Sequence, residues 1–184
     1  EGYPDALYLP TLGMKNIVAV GQGLLSESHL EALKEFNIKN VIISFDNDPP
    51  KADGVLTGVE NTVKAIDLLT HKSDINVFVL DPRKLGKHKD PDEYVKAEGV
   101  EAFRQLVNDA EFGLKWRAAS ILAGYDLNNP QQWQKALEAI LNYDLSIKDQ
   151  LKSKQLISTA AFVLKTDESI IEEQAVSYKQ KIER

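Results

Sequence analysis

A chain of 184 residues is long enough for one domain, or for one domain with a helical appendage. Its hydrophobic fraction of 43% supports a core and excludes global disorder, and the lack of cysteine removes disulfides, thiolate zinc sites and cysteine nucleophiles together. The net charge of −6 is uneven: residues 1–110 hold 18 acidic against 12 basic side chains and residues 111–184 ten of each, which argues against a broad basic nucleic-acid face. No apolar run approaches the roughly 20 residues of a membrane span, and no signal-peptide pattern is visible, so a cytoplasmic protein is the simplest reading. The first residue is Glu rather than Met, and a longer parent protein is expected.

From residue 1 to about 110, short apolar runs alternate with amphipathic stretches. Ile17–Val20, Val41–Phe45 and Ile75–Leu80 are short, rich in β-branched residues and predict buried strands. Between the first two, Leu30, Leu33 and Phe36 have helical spacing, with Ser26 as N-cap. Between the second and third, Val55, Leu56, Val59, Val63, Ile66 and Leu69 mark one face of a helix over about Ala52–Thr70. Asp92–Asn108 predicts a further helix. Strands alternating with helices imply βαβ units and an open parallel sheet with flanking helices.

After about residue 110 the strand pattern is lost. Leu114–Ala123, Pro130–Asn142, Ser146–Leu164 and Ser169–Lys181 read as helices, with breaks at Asn128–Pro130 and Lys165–Asp167. The expectation is an α/β domain over 1–110 followed by an all-helical subdomain over 111–184. Trp116 and Trp133 read as core of that second part.

Acidic clusters stand at the ends of the apolar runs: Glu1-Gly2-Tyr3-Pro4-Asp5, Asp46-Asn47-Asp48 and Asp90-Pro91-Asp92. An open α/β sheet binds its ligands at strand ends. Carboxylates converging on one point repel unless a cation lies between them, and hard oxygen donors suit Mg²⁺ or Mn²⁺. Each cluster also has a plainer reading. Asp46–Asp48 followed by two prolines suits an acidic turn. Asp90 followed by Pro91 suits a helix cap, a role that coexists with metal binding by the neighbouring acid. Glu1 alone reads as a solvated end. Arg83, Lys84, Lys87, His88 and Lys89 form a basic run into Asp90, read either as a solvated loop or as phosphate contacts. The Gly21-Gln22-Gly23 turn offers backbone amides to phosphate. His29, His71 and His88 are too widely spaced for a metal pair.

In order and spacing these clusters resemble the Toprim domain, whose pattern is a Glu-Gly after the first strand and an Asp-x-Asp after a later one; here these are Glu1-Gly2 and Asp46-Asn47-Asp48. Within that superfamily the chain is most similar to the bacterial-type DNA primase branch. Glu1-Gly2-Tyr3-Pro4-Asp5 matches its opening, residues 19–30 its glycine turn and helix with an embedded His29, and Lys89–Val95 its Asp-Pro-Asp segment. Glu98–Phe103 and the stretch Leu122–Leu127 continue the match into the helical part. The order of the motifs selects the metal reading for all three clusters.

The resemblance implies a Toprim-like sheet with a helical subdomain and metal-dependent nucleotidyl transfer that makes short RNA primers on single-stranded DNA. It implies Glu1, Asp46 and Asp48 as catalytic residues, and Glu1, Asp46, Asp48, Asp90 and Asp92 as ligands of two or more Mg²⁺ or Mn²⁺ ions. Asp5 is a supporting acid, and Lys84, Lys87 and Lys89 are phosphate contacts. The implied partners are the single-stranded template, nucleoside triphosphates and, through regions not in this chain, a replicative helicase; the implied location is the bacterial cytoplasm at the nucleoid, with no membrane. Other Toprim enzymes of nuclease or topoisomerase type, or a non-catalytic binding module, are the alternatives. The chain departs from the pattern in three places. Pro49–Gly54 and Arg83–His88 lengthen two loops, and the strand that carries the family's Glu is missing ahead of Glu1. The zinc module and basic subdomain of primases are missing too, so the chain by itself is expected not to prime.

Overall fold

The computed structural model describes residues 1–21, 23–52 and 54–182, so Gln22 in the expected phosphate turn and Asp53 in the expected second helix lie outside the described residues. Its contacts cluster into two compact units, Glu1–Gly113 and Leu114–Arg184.

The first unit opens with helix α1 (Tyr3–Tyr8), which carries Pro4 in its first turn, and a 3₁₀ turn over Leu9–Leu12. Helix α2 (Glu27–Glu35) follows. Ser26 caps it through a reciprocal box in which the His29 ring nitrogen accepts from the Ser26 N–H at 3.0 Å. Then come β1 (Asn40–Ser44), α3 (Thr57–Lys72), β2 (Asn76–Leu80), a 3₁₀ turn over Pro82–Leu85, α4 (Pro91–Glu98), α5 (Val100–Asn108) and the short β3 (Glu111–Phe112). β1 pairs parallel with β2 in the register Ile42↔Phe78 and Ser44↔Leu80. β2 pairs antiparallel with β3, Phe78 facing Phe112 edge to face at 5.7 Å between ring centres.

The parallel pair puts the C-terminal ends of β1 and β2 side by side, so the Asp46 loop and the loop that runs to Asp90 leave the same sheet edge. Under that edge Leu9, Met14, Leu80, Leu85, Val95 and Phe103 form a buried cluster. It ties the end of α1 and the loop that runs to Asp90 to α4 and α5, which keeps that acidic segment on packed rather than free backbone.

Several expectations are corrected here. Ile17–Val20 is no strand: it has no ladder partner among the described residues, and Val18 is 79% exposed. A β-branched run becomes a strand only where a neighbour completes its hydrogen bonds; Ile17 instead packs against the cluster under the sheet edge. The parallel β1–β2 pair is the expected one, and the two-residue β3 adds an antiparallel edge to it. The helix expected over Asp92–Asn108 is two, broken at Gly99, whose φ of +91° lies in the left-handed region. The second helix begins at Thr57 rather than Ala52, and its buried face runs through Gly58, Thr62, Ala65, Ile66 and Leu69. Small residues on that face let α3 approach the sheet closely.

The second unit holds α6 (Gly113–Leu122, whose first residue closes the first unit), α7 (Pro130–Leu145), α8 (Gln150–Leu164) and α9 (Glu168–Ile182). Asn129 and Asp149 cap α7 and α8 through their side chains, so α8 begins at Gln150 rather than Ser146. Ile140, Leu156, Ala160 and Ile171 are fully buried between the last three helices. Trp116 is buried, and the half-buried Trp133 donates its indole N–H to Leu164 O at 3.3 Å.

A fully buried carboxylate lies inside this apolar packing. Asp144 on α7 is fully buried, accepts the Ser153 hydroxyl of α8 and pairs with Lys179 of α9 at 2.8 Å. One carboxylate thus ties three helices. Asp144→Ala strands the Ser153 hydroxyl and leaves Lys179 to solvent, and is expected to cost about 2–3 kcal/mol, read as a lower midpoint in urea unfolding of the chain.

Candidate active site

Acids of all three clusters lie near the C-terminal edge of β1 and β2. Glu1 reaches Asp46 directly: the Asp46 N–H donates to Glu1 Oε2 at 3.4 Å, while Gly21 N–H donates to Glu1 O at 3.1 Å. Gly23, with φ of +70°, lies against the same carboxylate; a Cβ there would stand 2.4 Å from Glu1 Oε1 and 3.1 Å from Asn61 Nδ2. Only glycine leaves room for Glu1 in this position.

Asp5 is buried on α1, and its Oδ1 accepts the Asp92 N–H at 3.0 Å, which joins the first cluster to the third. Burial pushes the Asp5 carboxyl above its ordinary value, and the charge of Asp90 adds to this against the hydrogen bond from Asp92. Asp90 caps α4, its Oδ1 accepting from Glu93 N–H at 2.7 Å, so the cap reading describes that oxygen. Asp92 pairs with Lys96 through Oδ2, while its Oδ1 is buried without a hydrogen-bond partner.

Asp46 is the most perturbed of the acids. Burial pushes its carboxyl up to about 6, and the charges of Glu1, Asp5 and Asp90 push the same way. Its Oδ1 is buried and has no hydrogen-bond partner. Asp48 is half-buried and stands 3.7 Å from Lys89 Nζ. The ammonium of Lys89 is held above the ordinary lysine range by Asp48 first and Asp46 next. The other two lysines differ in setting: Lys84 donates to Asp109 O at 3.3 Å, and Lys87 is exposed. Arg83 folds back on Asp81 through its backbone and its guanidinium, which stiffens the start of the basic loop.

Two residues at this edge were missed in the sequence. Gly58 in the first turn of α3 presses on the Asp46 carbonyl; a Cβ there would lie 1.8 Å from that oxygen. Asn47 donates its backbone N–H to Lys89 O at 2.6 Å and its side-chain amide to Gly86 O at 2.8 Å. A glycine near a helix start and an amide between two acids were the available signals, but neither names its distant partner.

The donor set suits a hard divalent cation: carboxylates on neighbouring loops, two of them with buried unpartnered oxygens, and mutual repulsion that a cation would relieve. Among the described residues no three of these side chains stand at ligand distance from one point. The donor chemistry suits a metal, while the described side chains are not gathered at ligand distance.

An α/β unit with loops at the C-terminal edge of its parallel strands has the layout in which such sheets hold ligands. The Toprim-like family pattern matches residues 1–95, more than half of the chain, and the chain belongs to that family. A DNA primase of Staphylococcus aureus is 29% identical over 175 residues, covering 94% of this chain and 27% of the relative. The chain thus spans about a quarter of the length of the curated relatives it matches. Among solved structures, a DNA primase domain from Pseudomonas aeruginosa aligns with a TM-score of 0.73 at 20% identity, over 95% of this chain and 52% of that one. A DnaG primase catalytic domain bound to single-stranded DNA aligns with a TM-score of 0.72 at 22% identity, over 92% and 51%. The fold matches about half of each of these catalytic domains. Toprim primases as a group are metal-dependent. Among the described residues no helix is long and apolar enough to cross a membrane.

Proposed function

We propose that this chain is the nucleotidyl-transfer part of a DNA primase, which joins ribonucleotides into short primers on single-stranded DNA. The observation that carries the reading is Asp46: a half-buried carboxylate with an unpartnered buried oxygen, raised to about 6, among acids from the other two clusters. Such a group is costly for folding alone, and perturbed acids of this kind gather at functional sites. The Toprim-like family match and the primase relatives support the same reading.

In this proposal a 3′-hydroxyl attacks the α-phosphorus of a nucleoside triphosphate, the new O–P bond forms, and pyrophosphate leaves with the broken bond's electrons. When bound, two or more Mg²⁺ or Mn²⁺ ions would supply a lower hydroxyl pKa and an offset for phosphate charge. Asp46, Asp48, Asp90 and Asp92 would hold the ions, and Glu1 would be a ligand or take the hydroxyl proton. Asp5 supports the site by fixing the Asp92 backbone. Lys89 is the phosphate contact best supported by position, with Lys84 and Lys87 further along the same loop. Residues 1–110 form the Toprim-like domain and 111–184 the helical subdomain of this enzyme. Template, nucleoside triphosphates, a replicative helicase engaged through other regions, and a cytoplasmic, nucleoid-associated site of action belong to the same proposal.

The test is a gel assay of the whole protein that carries this chain, with labelled nucleotides and single-stranded DNA. Short labelled RNA is expected, falling at least about a hundredfold in Asp46→Ala and Asp48→Ala. Strand breaks without primers would assign the site to a Toprim nuclease instead. Wild-type affinity for Mn²⁺ in both variants would show that these acids are not the ligands.

A further inference from the structure

The basic loop between Asp81 and Asp90 is tethered at several points. On one side, Asn47 donates its backbone N–H to Lys89 O at 2.6 Å, its side-chain amide to Gly86 O at 2.8 Å and, more weakly, to His88 O at 3.5 Å. On the other, His88 Nε2 meets Glu98 Oε1 at 2.9 Å and its ring stands edge-on to Tyr94 at 5.4 Å. The loop is exposed at Lys84, Gly86 and Lys87, and Gly86 bends it with a φ of +66°. Pro82 and Leu85 anchor the start of the loop by burial, and the course of Gly86–Lys89 is held by these polar tethers.

We propose that Asn47 is the positioning residue of the site: it fixes the loop carrying Lys89 and Asp90 against the Asp46–Asp48 turn, and so sets how the two pairs of acids face one another. The proposal rests on the metal reading above. Its physical basis is that an amide can do what its neighbours cannot. The Asn47 side-chain amide offers N–H donors to the carbonyls of Gly86 and His88, whereas the side chains of Asp46 and Asp48 on either side only accept when ionised. Two of its acceptors, Gly86 and His88, lie in the lengthened part of the loop. The backbone N–H bond to Lys89 O, which Asn47→Ala and Asn47→Asp both keep, holds the residue that adjoins Asp90 and whose ammonium faces Asp48, and the side-chain amide adds the tethers to Gly86 and His88. Partners that orient ligands commonly change metal affinity by roughly tenfold to a hundredfold when removed.

Asn47→Ala and Asn47→Asp separate this role from charge. Asp is nearly isosteric with Asn but cannot donate, and it adds a carboxylate. The metal-free chain is digested with trypsin and the peptides ending at Lys84 and Lys87 are followed, with cleavage in the helical unit as internal control. Mn²⁺ binding is then measured by electron paramagnetic resonance. Both variants are expected to release the loop peptides several-fold faster and to bind Mn²⁺ roughly tenfold more weakly. A loop cut at the wild-type rate in either variant, or Asn47→Asp binding Mn²⁺ as tightly as wild type or tighter, overturns the proposal. If the wild-type chain binds no Mn²⁺, the metal reading fails, and the tether is judged on the cleavage rates alone.

Discussion

Gly58→Ala is expected to lower the stability of the first unit by about 2–3 kcal/mol, against the gain that alanine usually brings to a helix. The usual gain is up to about 1 kcal/mol, because alanine costs less backbone entropy than glycine. Here the added methyl would lie 1.8 Å from Asp46 O, 3.0 Å from Asp46 C and 3.4 Å from Pro82 Cγ. The first two are backbone atoms, so no side-chain rotation relieves the clash. Either α3 backs away from the sheet or the Asp46 turn moves. Backing away opens the buried face of Thr62, Ala65, Ile66 and Leu69. Moving the turn displaces the carboxylate proposed as a ligand. The midpoint of thermal unfolding should fall by roughly 5–10 °C, at about 2–4 °C per kcal/mol for a chain of this size. Mn²⁺ should bind more weakly in the same variant. A thermal midpoint at or above wild type would mean that α3 does not approach Asp46 as described.

The same contact shows why part of the site was legible in the sequence and part was not. Asp46 and Asp48 follow a β-branched run, so local pattern places them at a strand end, and β1 ends at Ser44 just before them. Asp90 as a helix cap is likewise local, fixed by Pro91 and the Glu93 N–H. Gly58 and Asn47 are different. Their partners, Asp46 and Gly86, become neighbours only once α3 and the basic loop have packed on the same sheet edge. The α3 face was misjudged for a related reason. Pattern reading follows the large apolar residues, yet the closest packing is made by Gly58, Thr62 and Ala65. Ile17–Val20 has the composition of a strand, but pairing is a property of two segments, and one segment cannot state it.

Asp46→Asn is expected to make the metal-free chain more stable at neutral pH while removing its response to metal. The sign follows from the direction of the shift. The carboxyl is raised from 3.8 to about 6 in the fold, by burial first and by Glu1, Asp5 and Asp90 after it. A raised folded pKa means the fold prefers the protonated acid. That preference stabilises fully below 3.8 and is lost as pH rises through about 6. At pH 7.5 wild type therefore carries an ionised, partly buried and crowded carboxylate. Asn keeps the shape without the charge. The full shift would correspond to about 3 kcal/mol, and solvent screening of a half-buried group reduces this to about 1 kcal/mol.

In thermal unfolding without metal at pH 7.5, Asp46→Asn should melt a few degrees above wild type, and the difference should shrink toward pH 4. With millimolar Mn²⁺ the order should reverse, since an ion that binds only the folded state raises the wild-type midpoint by mass action. At pH 5 wild type should gain less from Mn²⁺, because Asp46 is then largely protonated. In the whole protein the variant's primer synthesis should fall by at least about a hundredfold, although the chain itself is more stable. That opposition separates a ligand from a structural acid: a carboxylate kept for the fold would lose stability on becoming Asn, with or without metal. A lower metal-free midpoint for Asp46→Asn at pH 7.5, or an undiminished Mn²⁺ response, would move Asp46 out of the site and leave Asp48, Asp90 and Asp92 to define it.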